Sequence, residues 1–385
     1  MYFRNIFALL WVCCNSNHNV RSERDILERR QRTENKEQTI IGRMGEGETK
    51  EKTMNKSEST MNKSGIMNGS DAAAEWKKRG CMPDYRFDDL YNIWLITRNG
   101  KLSADQLAAL SEAADRFGSG QVKITPRQIV SVEGVKEEEL DAALTFLEGH
   151  GLMADSSEML VRPVTACMGT TCKNGLIDTD SLCERLFDRF FTGWAGVELP
   201  QKFKIGISGC PNNCAKADLN DVGIIGRMTP GPDYSKCRSC TVCQVEKACR
   251  KTHAAAKLTE ETLRQLWESG YPAENQQQEG KLPCMEEGKL YIDKEACISC
   301  GRCRDKCAFG VLDQFTKGYS IRVGGQSGHK VERGRELPAV FRSEEEVCST
   351  IEKILTFFRD KGIKGERLAD TIDRIGWDDV CRELL

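Results

Sequence analysis

Twelve of the nineteen cysteines fall into three sets whose spacing suits iron–sulfur chemistry. The first set stands between Thr165 and Gly226, in TACMGTTCKNG and, after an interval, KFKIGISGCPNNCAKADLNDVGIIG. Its pairs are Cys167/Cys172 and Cys210/Cys214, each embedded in Gly, Pro, Asn and Thr. These are the residues of tight turns, where backbone N–H groups are free to point inward. Four thiolates on two loops suit a cubane [4Fe–4S] cluster, whose irons take one sulfur each and whose charge is offset by N–H donors. A tetrahedral zinc site would use the same four ligands. The apolar strand before Cys210 and the Pro-Asn-Asn after it favour the cubane.

The other two sets lie further on. CRSCTVCQVEKAC places cysteines at Cys237, Cys240, Cys243 and Cys249, and CISCGRCRDKCAFG at Cys297, Cys300, Cys303 and Cys307. The latter is the C-x2-C-x2-C-x3-C run of bacterial ferredoxins, with Ala308 where proline is usual. The former delays its fourth cysteine by two residues. Together they read as a two-cluster ferredoxin module in which each fourth cysteine crosses to the other cluster; Cys284 is an alternative to Cys249. Cys13, Cys14, Cys81, Cys183, Cys348 and Cys381 show no ligand spacing and read as ordinary cysteines.

CPNNCAKADLNDVGIIG, following an apolar strand with Lys202 and Lys204, resembles the sirohaem–[4Fe–4S] motif of the sulfite and nitrite reductases. The resemblance covers roughly residues 85 to 380. It departs at the first cysteine pair, where the family has five intervening residues and this chain has four, Met168 to Thr171. In that family the last cysteine is shared between cluster and sirohaem iron, a role that falls to Cys214. Sirohaem is rich in carboxylates and the substrate is an oxyanion, so the site must be cationic. Basic residues match the family's at Arg98 in ITRNG, Arg127 in ITPRQ, Arg162 in VRPVTAC, and Lys202 and Lys204 in LPQKFKIG. Arg127 is thereby assigned to sirohaem, and Arg98, Arg162, Lys202 and Lys204 to catalysis; Lys173 is a further candidate. Any one of them alone would read as a solvated surface cation.

The resemblance implies six-electron reduction of sulfite to sulfide, with electrons relayed through the inserted clusters. Nitrite reduction to ammonia is the parallel alternative, and a non-catalytic iron–sulfur electron carrier is a reading of another class. Sulfite is favoured because an inserted ferredoxin resembles the anaerobic and dissimilatory sulfite reductases. No G-x-G-x-x-G follows a strand, so the reductant is expected from a donor protein or partner subunit. The family's larger enzymes carry two copies of this unit and the present chain one. A homo- or hetero-oligomer is therefore expected, with its basic wall facing the partner's sirohaem. Histidines number four, without paired spacing, which argues against a His-ligated haem or mononuclear site.

The elements that must position these residues are legible in outline. Residues 91–97 (YNIWLIT) read as a strand. Ser103 caps a helix with Leu107, Leu110, Ala114 and Phe117 at helical spacing and Gly118 as its stop. Short strands at 121–124 and 128–132 and a helix at 137–148 complete a ferredoxin-like half-domain. Helices at 182–191, 259–268 and 343–361 and a strand at 203–207 follow. The expected fold class is α+β: a half-domain over 79–160, a split sirohaem/[4Fe–4S] α/β domain over 161–235 and 308–385, and the ferredoxin insertion over 236–307. Residues 1–78 read as a disordered or spurious extension, and the apolar run Ile6–Cys14 is too short to span a bilayer. A net charge of −2 calls for neither nucleic acid nor membrane, and thiolate ligands fit a reducing cytoplasm.

Overall fold

The computed structural model describes residues 69–87, 89–155, 159–268 and 287–385. The Ile6–Cys14 run and Cys284 lie outside the described residues. Helix α1 (Gly69–Lys78) leads into an antiparallel sheet ordered β1 (Cys81–Pro83), β2 (Leu90–Leu95), β4 (Val130–Lys136), β3 (Val122–Ile124). Strand β2 alternates half-buried and buried residues, the period of a sheet covered mainly on one face. Ser103 caps α2 (Ala104–Phe117) reciprocally with Gln106. Leu110 and Phe117 of α2 pack with Leu140, Leu144 and Leu147 of α3 (Leu140–Gly149) against that sheet.

Leu107 corrects the expectation that it joins this stripe, for it is 54% exposed. The buried arc of α2 is centred between Leu110 and Ala113. At 100° per residue Leu107 falls roughly a quarter-turn away from that centre.

A second sheet carries the first thiol set. Its order is β11 (Arg335–Glu336), β10 (Gln314–Val323), β7 (Val222–Gly231), β6 (Ile205–Ser208), β5 (Thr165–Ala166). Strands β5, β6 and β7 run parallel, and β10 returns antiparallel to β7. All four residues of β6 are buried, as a central parallel strand requires. Asp178 caps α4 (Thr179–Leu186), which starts three residues before the expected helix and passes into a π-helical turn over Phe187–Thr192. Leu186, Phe203 and Ile207 share one core with Ile351 and Phe358 of α7 (Glu344–Lys361). Ser343 caps α7 where the sequence placed its start.

The ten β7–β10 pairs run from Val222 opposite Val323 to Gly231 opposite Gln314. The chain therefore leaves the sheet and returns to it at facing residues. Between them come α5 (Gln244–Ala248), the antiparallel pair β8 (Ala255–Lys257) and β9 (Leu290–Ile292), and α6 (Glu260–Glu268). Their apolar core is small, built on residues such as Tyr234, Val245, Leu290 and Val311, with cysteines packed against it. A core of that size needs a staple, and metal ligation is one. Two further helices, α8 (Leu368–Ile375) and α9 (Trp377–Leu384), close the chain.

Phe358 is fully buried, its ring centroid 6.0 Å from that of Phe203. Phe358→Ala should cost about 3–5 kcal/mol in guanidinium unfolding, and Phe358→Leu distinctly less.

Candidate iron–sulfur and anion site

The loops after β5 and β6 bring Cys167, Cys172, Cys210 and Cys214 together. Burial raises the pKa of the Cys210 thiol, and the other three thiols push it the same way against a backbone N–H from Asn212. Backbone N–H groups already point at sulfur: Gly209 donates to Cys167 Sγ at 3.1 Å and Asn174 to Cys172 Sγ at 3.5 Å. The loops meet through glycine. A Cβ on Gly175 would stand 1.9 Å from the Gly169 carbonyl oxygen, and one on Gly209 2.8 Å from Gly169 Cα. Asn213, with φ at +53°, fastens the second loop by accepting from Ser208 Oγ and the Ala217 N–H.

In the insertion the eight cysteines sort into two groups across the sequence. The Cys303 thiol, pushed up to about 12 mainly by burial, feels Cys297, Cys300 and Cys249. Cys237, Cys240, Cys243 and Cys307 border a single crevice. Among the described residues no three His, Cys, Asp or Glu side chains converge as a site for one metal ion.

At the opposite ends of β5 and β6 lies a knot of charge. Arg162 is 6% exposed and pairs with Asp155 at 2.6 Å. Arg127 donates to Asn220 Oδ1 at 3.1 Å and to the Pro163 carbonyl oxygen at 2.8 Å. Asp221, completely buried, accepts both the Lys204 N–H and the Arg367 guanidinium, at 2.9 and 2.8 Å. Burial raises the Asp155 carboxyl to about 6 while Arg162 and Arg127 pull it down, so it is ionised at neutral pH. Burial lowers Arg127 to about 10, helped by Arg162. Lys204 is lowered to about 8, first by burial and then by Arg127, Arg367 and Lys202, against Asp221. Four cations thus face two carboxylates, and Arg127 Nε and Arg367 Nε are buried without a hydrogen-bond partner.

The expected residues are distributed unevenly. Arg127, Arg162 and Lys204 join this knot, with Lys202 exposed at its edge. Arg98 is tied elsewhere, to Asp188 at 3.0 Å and over the Phe187 ring at 4.7 Å. Lys173 is exposed beside Cys172. Arg367, Asp221 and Asn220 were not anticipated. Asn220 and Asp221 sit inside the quoted LNDVG, whereas Arg367 has no motif around it.

Beside the Cys210–Cys214 loop opens a cavity of about 530 Å³ lined by Lys216, Arg227, Lys251, Arg322 and Arg333, with Asp218 as its acid. Arg227 and Arg322 share Glu336, and Arg333 pairs with Asp218. Lys251 Nζ donates to the Pro211 carbonyl oxygen at 3.4 Å.

Comparison with known proteins places this geometry. Residues 157–385 match the nitrite and sulphite reductase 4Fe-4S domain, and residues 88–149 the nitrite/sulfite reductase ferredoxin-like half domain. The chain belongs to the nitrite and sulfite reductase family. It is 27% identical over 307 residues to a coenzyme F420-dependent sulfite reductase of Methanocaldococcus jannaschii, covering 78% of this chain and 43% of that protein. It is 23% identical over 299 residues to the beta subunit of a dissimilatory-type sulfite reductase of Archaeoglobus fulgidus, covering 72% of this chain and 74% of that subunit. The crystal structure of dissimilatory sulfite reductase I superposes with a TM-score of 0.53 at 21% identity, over 77% of this chain and 69% of that one, and so shares the fold. Among the described residues no helix is long and apolar enough to cross a membrane.

The residues present fit the family's cofactors. The first thiol set offers four sulfurs with N–H donors, as a cubane requires, and the adjoining cavity has the cations a polycarboxylate macrocycle needs.

Binding of an anion to this knot should titrate with Lys204. Sulfate, whose charge is constant over this range, should bind with level affinity below about pH 8 and more weakly above it, as Lys204 loses its proton. Lys204→Met should flatten that profile in calorimetric titration.

Proposed function

We propose that this chain is a sirohaem-dependent reductase of a small oxyanion, with sulfite as substrate and sulfide as product. The observation that carries the reading is the cation-lined cavity beside Cys210–Cys214, with two further thiol groups in a module inserted on the same sheet. When bound, the sirohaem and clusters would supply electron storage and transfer, and the protein side chains would do the rest. Cys167, Cys172, Cys210 and Cys214 would hold the first cluster, with Cys214 also facing sirohaem. Cys249 with Cys297, Cys300 and Cys303, and Cys307 with Cys237, Cys240 and Cys243, would hold the other two. Arg127, Arg162 and Lys204 would bind the oxyanion and offset its charge. Lys204 Nζ, near pH 8, can give a proton and regain one as oxygen leaves as water. Sulfite is preferred to nitrite because the inserted module accompanies a resemblance to sulfite reductases.

The wall and the first thiol set lie at opposite ends of one strand. Lys204 and Cys210 are six positions apart, about 20 Å of extended chain. Arg127, Arg162 and Lys204 can reach a substrate at the thiol site only from another chain, so we assign the wall of each chain to the thiol site of a second chain. Edge strand β3, with Val122 and Ile124 exposed just before Arg127, is a surface through which such a partner can pack.

Protein made anaerobically with sirohaem available should show tetrapyrrole bands and about twelve cluster irons per chain, and should turn over sulfite faster than nitrite. A plain iron–sulfur spectrum without tetrapyrrole reduces the protein to an electron carrier. For the composite site, a Lys204→Met chain and a Cys214→Ser chain should each be inactive and regain activity when assembled together. A mixture that stays inactive, or a fully active monomer, rules the composite site out.

A further inference from the structure

The contacts of the inserted module give its two thiol groups an order. Ser299 accepts the Met228 N–H at 2.8 Å, and its hydroxyl meets Thr229 Oγ1 at 3.0 Å. Met228 also bridges to Cys300. Met228 and Thr229 belong to β7, the neighbour of the strand that leads to Cys210. Lys251, two residues beyond Cys249, reaches Pro211, the residue after Cys210. The Cys249/Cys297/Cys300/Cys303 group is thereby braced on the first thiol set.

The Cys237/Cys240/Cys243/Cys307 group borders a crevice that shares no residue with the anion cavity. Its surroundings open to solvent. Cys240 is exposed, and Val242 and Phe309 are 48% and 49% exposed. Arg238 and Lys306 are exposed, and neither is ion-paired among the described residues. Segments 237–250 and 297–307 hold six Lys or Arg against two Asp or Glu, in a chain whose net charge is −2. Arg238 and Phe309 border the same crevice, and Val242 and Lys306 adjoin its Cys243 and Cys307 in sequence. Exposed apolar side chains beside cations without an ion pair among the described residues, over a group proposed for a one-electron centre, complement a protein with an acidic rim.

We infer that the face formed by Val242 and Phe309, rimmed by Arg238 and Lys306, docks an acidic one-electron carrier protein. The inference rests on the relay reading above and names its donor. One electron leaves the carrier's reduced centre and reduces the centre held by Cys237, Cys240, Cys243 and Cys307. No bond forms or breaks and no proton moves.

The test uses the full protein with its clusters, oxidised and without sulfite, mixed in stopped flow with reduced flavodoxin. Flavodoxin is an acidic one-electron carrier whose semiquinone colour is distinct from cluster bleaching. R238E/K306E should slow bimolecular cluster bleaching about tenfold or more at low salt and flatten its salt dependence. F309A, which leaves the charge intact, should slow it as well. Dithionite, which needs no docking face, should reduce wild type and variants alike. A carrier rate unchanged in both variants, or equal slowing with dithionite, overturns the inference. The readout needs neither tetrapyrrole nor substrate turnover, so docking and the reductase reading succeed or fail separately.

Discussion

Arg162 precedes strand β5 and Lys204 precedes β6, Cys167 and Cys210 follow their other ends, and the strands hold these two kinds of chemistry apart. The register is pinned at both ends: the Arg162 N–H donates to the Phe203 carbonyl oxygen and the Cys167 N–H to that of Ile207. Neither set can drift toward the other without breaking the parallel ladder. A rigid spacer of this kind suits a site completed by another chain, because what each chain presents outward is fixed before the two meet.

The cationic end is held together by two carboxylates. Packing Arg127, Arg162, Lys204 and Arg367 side by side is unfavourable, and Asp155 and Asp221 offset only half of that charge. Buried ion pairs contribute little net stability once desolvation is counted, so stability alone is a poor reason for the arrangement. Orientation is a better one. Asp221 takes the Lys204 backbone N–H and the Arg367 guanidinium at once, tying the backbone that carries Lys204 to an arginine 163 positions away in the chain. What is left over, two uncompensated cations and two buried guanidinium Nε groups without partners, is a deficit that a bound anion can relieve.

Much of this was legible because ligand chemistry dictates spacing. A ligand run is local, so the C-x2-C-x2-C-x3-C spacing of Cys297–Cys307 stands out in the sequence without knowledge of the fold. The caps at Ser103 and Ser343 were equally local, each a short side chain accepting from the first helical turn. Arg367 was invisible for the opposite reason. Its partner Asp221 lies 146 residues away, and no periodicity connects a loop arginine to a strand-end aspartate. Leu107 shows a subtler limit: spacing defines a stripe, but the neighbouring elements decide where its edge falls. Strand β5, two residues long, has no propensity signal at all and exists because the Gly206–Ile207 backbone is there to pair with it.

The insertion point has a mechanical consequence. A ferredoxin module joined by a flexible linker would sample many distances from its acceptor. Here both of its connections emerge from the end of a ten-pair antiparallel ribbon, at Gly231 and Gln314, so the module cannot swing about a single hinge. The Ser299 contacts to Met228 and Thr229 and the Lys251 contact to Pro211 add fixed points away from that ribbon end. On the proposed relay, transfer within the chain would depend on static spacing, and encounter with a donor would be the one step left to diffusion. That division places the demand for adaptable contact on the outer face of the module. The solvent-exposed Val242 and Phe309 are found there with Arg238 and Lys306, which have no ion pair among the described residues, while the inner face is committed to hydrogen bonds with β7.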